Sequence, residues 1–288
     1  MAVEGVESRI VLTLECADQL GIVHAVTGFL AEHGCNITDS QQFNDARAER
    51  FYLRIEATHP ATVTVDQLRT GFDSLAGQLG MTWRLDDAAE PTRTIVMVSK
   101  TTHCLNELLE QWHDGQLNID IVAIVGNHDD LRPIAEQQGI PFHLIPVTPE
   151  TKPAAEATLL GLIDELDAEL IVMARYMQIL SDDLCARLPQ RVINIHHSFL
   201  PGFKGARPYH QAWDRGVKFV GASAHYATAD LDEGPIIEQE VFRVDHRATP
   251  EDLVVAGRQA ERAALARAVA WHAERRIIVT GRRTVVFS

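Results

Sequence analysis

Two stretches far apart in the chain carry residue types suited to acyl chemistry. Asn194-Ile195-His196 sets an amide and an imidazole two positions apart. In a strand that spacing puts both on one side, with Ile195 and His197 on the other. An amide donor beside a titratable donor suits a carbonyl whose oxygen gains negative charge during attack. The second stretch is the polar loop His225-Tyr226-Ala227-Thr228-Ala229-Asp230-Leu231-Asp232-Glu233-Gly234-Pro235. An Asp held there, facing the Asn/His pair, would favour the imidazolium while the ring favours the ionised carboxylate. Such a pair can handle the proton of an attacking water. Taken singly, Asn194 also reads as a strand-end turn residue and His196 as a satisfied core histidine. Asp230, Asp232 and Glu233 alone read as a solvated acidic turn. The position of Asp232 just before Gly234-Pro235 sets it apart.

Other chemistries are less well served. Adjacent strand residues such as His196 and His197 point apart and do not readily chelate one ion, and neither H-x-x-x-H nor H-E-x-x-H occurs, so no metal is expected. Cys104 beside His103 reads better as an inert helix-start thiol than as a nucleophile. There is no G-x-S-x-G elbow for a serine hydrolase.

These residues need a frame, and the pattern supplies one in two parts. Ile10, Leu12 and Leu14 alternate as a strand. Ile22, Val26, Phe29 and Leu30 recur at helical spacing, with Gly34 able to end the helix. Residues 36–43 are extended and polar, and Phe51, Leu53 and Ile55 alternate as a half-buried strand. Val65, Leu68, Phe72, Leu75 and Leu79 form one helix face that Gly80 stops, and 81–85 closes the sheet. This βαββαβ order is the ferredoxin-like plan. A polar, proline-bearing stretch over 86–93 reads as a linker.

From Thr94 short apolar runs alternate with helical patterns. Runs at 95–98, 119–125, 170–173 and 192–195 predict buried strands, 142–147 is extended, and 154–166 is helical. Asp129 can cap a helix to Gln138, and Thr249-Pro250-Glu251-Asp252 opens a helix running to about Arg275. The expectation is an α/β chain: a ferredoxin-like domain over 1–85, the linker, and a Rossmann-like, mostly parallel sheet covered by helices over 94–288. In such sheets ligands sit beyond the carboxyl ends of the strands, where Asn194 and His196 fall.

Composition narrows the function classes. The formal charge of −14 repels nucleic acid and anionic membrane surfaces. Four cysteines without C-x-x-C spacing fit a reducing compartment. With no signal-like start and no apolar run of about 20 residues, the expected location is cytoplasmic.

The run Asn194-Ile195-His196, then Ser198-Phe199-Leu200-Pro201, then the turn Asp232-Glu233-Gly234-Pro235 resembles the folate-dependent formyltransferase family over 94–288. The resemblance implies a catalytic trio of Asn194, His196 and Asp232, with His225 in support. The stretch Met173-Ala174-Arg175-Tyr176-Met177-Gln178-Ile179-Leu180-Ser181 is similar to that family's pteridine-pocket loop, so Tyr176, Met177, Gln178, Ile179 and Leu180 are implied folate contacts. Lys204 and Arg207 are candidates for the acidic folate tail, or else ordinary loop residues. The segment Asp18-Gln19-Leu20-Gly21-Ile22-Val23, with Asn36-Ile37, resembles an ACT domain. That implies Asp18, Gly21 and Asn36 as effector-site candidates, a small amino-acid effector such as glycine or methionine, and a homo-oligomer paired through these domains. An ACT segment ahead of a formyltransferase-like one is similar to the arrangement of the folate deformylase family. It implies a one-carbon enzyme that hydrolyses 10-formyltetrahydrofolate to tetrahydrofolate and formate, with the folate as substrate and no separate cofactor.

Water is favoured over an amine as acceptor. Purine-pathway relatives carry a glycine-rich turn after the first strand, where bare backbone N–H groups approach a phosphate. Here that turn is Ser99-Lys100-Thr101-Thr102-His103-Cys104, without a glycine. No basic nucleic-acid-binding tail follows. A formyltransferase with an unidentified amine acceptor and a non-catalytic folate and amino-acid sensor are the competing readings.

Overall fold

A computed structural model of the chain describes residues 8–202 and 208–288. Two compact units result: the chain to Pro91 with Glu274–Ile278 and Phe287–Ser288, and Thr92–Ala273 with Val279–Val286.

The first unit runs β1 (Ser8–Ala17), α1 (Ile22–Glu32), β2 (Asn36–Asp45), β3 (Arg50–His59), α2 (Val65–Leu79) and β4 (Thr82–Asp87). Its sheet has the order β2-β3-β1-β4 with antiparallel pairing throughout. Alternation sends Ile10, Leu12, Leu14 and Cys16 of β1 and Phe51, Leu53 and Ile55 of β3 into one core. Ile22, Val26 and Leu30 of α1 and Leu68 and Phe72 of α2 complete it. Thr64 starts α2 through a reciprocal capping box with Gln67, and Gly80 ends it at φ 61°. The ferredoxin-like order is therefore present.

The second unit runs β5 (Thr92–Val98), α3 (His103–His113), β6 (Ile119–Gly126), α4 (Arg132–Gln137), β7 (Phe142–Leu144), α5 (Lys152–Glu165) and β8 (Leu170–Met173). It continues through α6 (Asp182–Arg187), β9 (Val192–His196), α7 (Pro208–Asp214), β10 (Phe219–Tyr226), β11 (Ile236–Arg243) and α8 (Pro250–Ala273). A two-stranded sheet, β12 (Ile277–Thr280) with β13 (Arg283–Val286), closes the chain. The large sheet has the order β11-β10-β9-β8-β5-β6-β7. Strands β9, β8, β5, β6 and β7 are parallel, and β10 and β11 are antiparallel additions. From β5 the chain first builds towards β7, then returns to place β8 on the other side of β5. That reversal marks the switch point of the sheet, beside which the ends of β8 and β9 border the cavity described below.

Several details differ from the sequence expectation. The stretch read as a linker over 86–93 is shorter, since β4 reaches Asp87 and β5 begins at Thr92. Residues 274–278 and 287–288, expected with the second domain, group with the first unit. Asp129 does not cap a helix; it pairs with Arg132, and α4 starts there. Thr249 caps α8 as expected, accepting from the Asp252 N–H at 3.1 Å.

Candidate active site

Asn194 and His196 both come from β9 and border one cavity of about 160 Å³. Their neighbour β10 runs antiparallel, placing His225 opposite Asn194 and Ser223 opposite His196. The loop from β10 to β11 then folds back on itself. The Tyr226 N–H donates to the Pro235 carbonyl at 3.0 Å, and the Glu233 N–H donates to that of Asp230 at 3.2 Å. Gly234 makes this possible, because a Cβ there would lie 1.8 Å from the Tyr226 oxygen. Asp232 adopts φ 56°, a left-handed conformation that costs a non-glycine residue about 1 kcal/mol, and its carboxylate turns into the cavity wall.

The polar groups meet as expected. Asp232 Oδ2 lies 3.3 Å from Nδ1 of His196, and Oδ1 lies 3.7 Å from Nε2 of His225. The Asn194 amide nitrogen is 3.2 Å from the same His225 Nε2. His225 Nδ1–H donates to the Tyr226 carbonyl at 2.9 Å. That bond keeps the proton of a neutral His225 on Nδ1, so Nε2 accepts from Asn194 and fixes which way the amide faces. Nε2 of His196 is buried without a hydrogen-bond partner. With Nδ1 turned to the carboxylate, this cavity-lining ring has one nitrogen uncommitted.

Burial works against ionising Asp232, but the hydrogen bond from His196, and after it the proximity of His225, outweigh it. The carboxyl is held well below the usual carboxylate range. His197 shows the opposite balance. Burial, then the nearby Arg175 and His196, lower it to about 4. It stays a neutral ring at neutral pH.

The cavity's second wall is the segment after β8. Tyr176 and Leu180 are buried, whereas Met177 and Ile179 are each 57% exposed and offer apolar surface at the opening. Met177 N–H donates to Ser99 Oγ at 3.0 Å, and that hydroxyl donates to Asn127 at 2.7 Å, which ties this wall to the end of β5. Burial and the Glu156 charge push the Tyr176 hydroxyl up to about 12, so it stays protonated. On the far side Ser223 accepts from the Leu200 N–H at 3.0 Å and donates to the Ser198 carbonyl at 3.0 Å. These bonds fasten the chain leaving β9 onto β10.

The sequence matches the family described as "Formyl transferase" over residues 92–269 and the one described as "ACT domain" over residues 10–69. A formyltetrahydrofolate deformylase of Corynebacterium sp. (strain P-1) is 53% identical over 279 residues, covering 96% of this chain and 98% of that protein. The crystal structure of a formyltetrahydrofolate deformylase from Burkholderia mallei superposes with a TM-score of 0.93 at 49% identity, over 98% of this chain and 100% of that one. A glycinamide ribonucleotide transformylase from Symbiobacterium toebii matches 69% of this chain and 95% of its own, with TM-score 0.64 and 27% identity. The chain belongs to the formyltetrahydrofolate deformylase family.

Within this deformylase-family fold, the structure brings together Asn194, His196, His225 and Asp232, and puts residues 176–180 on the same cavity. Lys204 and Arg207 lie outside the described residues. Of the effector-site candidates, Asp18 accepts from the Asn44 side chain at 2.6 Å, Gly21 is the N-cap of α1 at φ 93°, and Asn36 is exposed at the start of β2. Sequence reasoning overlooked Arg175, His197, Thr228 and Leu231, which also border the cavity. His197 was expected to point away from His196. The strand ends at His196, and the two ring centroids lie 5.2 Å apart. Arg175 lies inside the quoted pocket-loop stretch, and its charge just after the apolar run Leu170–Met173 was the available signal; nothing local marked Leu231. Among the described residues, His103, Cys104 and Glu261 could offer ligand atoms to a metal, within 4.8 Å of one another. They sit apart from the Asp232 cluster in their bonding and are taken up below.

Proposed function

We propose that the chain hydrolyses 10-formyltetrahydrofolate to tetrahydrofolate and formate in the cytoplasm, with water as the acceptor. The observation that carries this reading is the unpartnered Nε2 of His196, on a ring whose Nδ1 faces the ionised Asp232. Such a ring is set to take a proton from a water placed in the cavity. The water oxygen bonds to the formyl carbon, and its proton passes to His196 Nε2. Asp232 stabilises the imidazolium that forms. The carbonyl oxygen becomes an oxyanion that accepts from the second N–H of Asn194, the first being engaged with His225. Collapse breaks the C–N10 bond as His196 returns the proton to N10, releasing formate. The pteridine lies against residues 176–180, between apolar Met177 and Ile179 and the backbone of that wall.

The end of β5 supports water over an amine acceptor. Ser99 is buried and committed to Asn127 and Met177, and His103 at the start of α3 is bonded to Glu261 at 2.8 Å. Both side chains are thus committed within the protein, and the turn has no glycine to let a phosphate approach its backbone closely. The first unit is read as a sensor for a small amino acid, glycine or methionine, bound near Asp18, Gly21 and Asn36 between paired copies of the chain. The test is spectroscopic: purified protein with 10-formyltetrahydrofolate and no amine should yield stoichiometric formate, at a rate altered by glycine or methionine. Folate binding without turnover would support the sensor reading instead. Formate appearing only as formyl-amine on addition of an acceptor would support a transferase.

A further inference from the structure

The hydrolytic scheme leaves one buried carboxylate unused. Glu261, midway along α8, is 2% exposed. Its Oε2 is 2.8 Å from His103 Nε2 at the start of α3 and 3.3 Å from Arg175 Nε; its Oε1 accepts from the Tyr209 hydroxyl of α7 at 3.2 Å. Gly257, one turn earlier on α8, lets the Tyr209 ring lie directly against the helix, since a Cβ there would fall 2.1 Å from the ring carbon Cζ. A buried carboxylate is costly unless paired, so this constellation is held by strong mutual constraints. Burial alone would push the Glu261 carboxyl up; the His103 hydrogen bond and the Arg175 charge outweigh it and bring it below its ordinary value.

We propose that Glu261 is a positioning residue for the folate pocket, acting through Arg175 to set the wall formed by residues 176–180. This rests on the folate-pocket reading above. Arg175 is the first residue after β8 to border the cavity and adopts φ 63°. A non-glycine residue in that region is strained by about 1 kcal/mol and must be held by its surroundings. The wall has further anchors in the Met177–Ser99 bond and in Ser181, whose N–H donates to Glu156 at 2.8 Å. Only the anchor at Arg175 joins two opposite charges, both largely buried, across to a different helix. It therefore fixes the direction in which the chain enters the pocket. A metal-binding role for His103, Cys104 and Glu261 is disfavoured by the same geometry. The Arg175 cation already neutralises the carboxylate, and burial pushes the Cys104 thiol far up, so it remains protonated.

A double-mutant cycle tests the assignment in the full-length protein. Glu261→Gln keeps the side chain's shape and removes its charge; Arg175→Met keeps its bulk and removes the cation. Each should raise KM for 10-formyltetrahydrofolate, and the Kd of tetrahydrofolate, roughly tenfold, with kcat changed less than about threefold. The double variant should be no worse than the poorer single one, and Arg175→Lys should recover most of the lost affinity. If Arg175→Met fails to fold, Arg175→Gln, which also lacks the charge, replaces it in the cycle, again with less-than-additive losses. Additive losses, unchanged affinity, or a fallen kcat at constant KM would overturn the proposal. A wild-type protein that releases no formate would defeat the hydrolase reading, while tetrahydrofolate affinity would still report the Glu261–Arg175 coupling.

Discussion

The two units solve different problems with similar elements. Among the described residues of the first unit, the buried polar side chains are Asp45, Arg54 and His59. Arg54 is met by Glu56 at 2.5 Å, by Asp39 at 3.5 Å and by the Glu274 carbonyl at 2.9 Å; its Nε and the Nε2 of His59 are unbonded, but neither residue borders the cavity described above. In the second unit Ser99, His196, Ser198, Ser223, His225 and Glu261 are all buried, and each borders the cavity or bonds a segment that does. One of them, His196, keeps an unbonded nitrogen on a ring that lines the cavity. The core of the first unit is thus largely apolar and its few buried polar groups lie away from the cavity, whereas those named in the second unit line the cavity or hold its walls. Substitutions should separate the two: losses of turnover without unfolding in one, losses of stability without altered chemistry in the other.

The sharpest separation is expected at Asp232. Asp232→Asn removes the charge that stabilises the His196 imidazolium, and turnover should fall by about 10²–10⁴-fold while circular dichroism stays native. Asn194→Ala, which deletes one oxyanion donor, should cost on the order of 10²–10³ in kcat with KM little changed. The mirror case is Phe72→Ala in the first unit. Phe72 is fully buried between Phe29 and Trp83, so about 3–5 kcal/mol should be lost from the denaturant-measured stability of that unit. The formate-release rate constant of the folded fraction should be unchanged.

A smaller effect is the pH response of His197. Its native pKa of about 4 lies below the ordinary 6.5, so the unfolded chain binds the proton first. The resulting penalty is absent above pH 6.5, grows as pH falls towards 4 and is constant below. His197→Gln should flatten the fall in stability across that window by on the order of 2 kcal/mol, seen in urea titrations at pH 7 and pH 4.5. Smallest of all, Gly21→Ala should cost about 1 kcal/mol from its positive φ alone, because nothing lies within 4 Å of the added Cβ.

Legibility in the sequence followed the same division. The first unit was readable nearly element by element, because alternation in β1 and β3 and the three-and-four spacing in α2 are local signals of a one-sided core. The parallel strands of the second unit were readable as apolar runs. Strand β10 was not: Gly221-Ala222-Ser223-Ala224 lacks bulky β-formers. The small residues reflect close approach, since a Cβ on Gly221 would fall 2.0 Å from the Glu240 oxygen. Missing that strand hid why His225 faces Asn194. The short helices α6 and α7 also went unread. Within the site, Asn194, His196 and Asp232 were legible as residue types at strand ends and a Gly-Pro turn. Arg175 and Glu261 were not, because their pairing joins a loop to a helix 86 positions away, from Arg175 to Glu261 (261 − 175 = 86), and no local pattern encodes it.

The central claim is that His196, oriented by Asp232, activates water against the formyl carbon. The most direct measurement is single-turnover formate release from 10-formyltetrahydrofolate in ¹⁸O-labelled water, comparing the natural protein with Asp232→Asn. The account predicts one labelled oxygen in the formate from the natural protein, and a chemical step slowed by about 10²-fold or more in the variant. Unlabelled formate, or an Asp232→Asn protein that turns over at the natural rate, would contradict it.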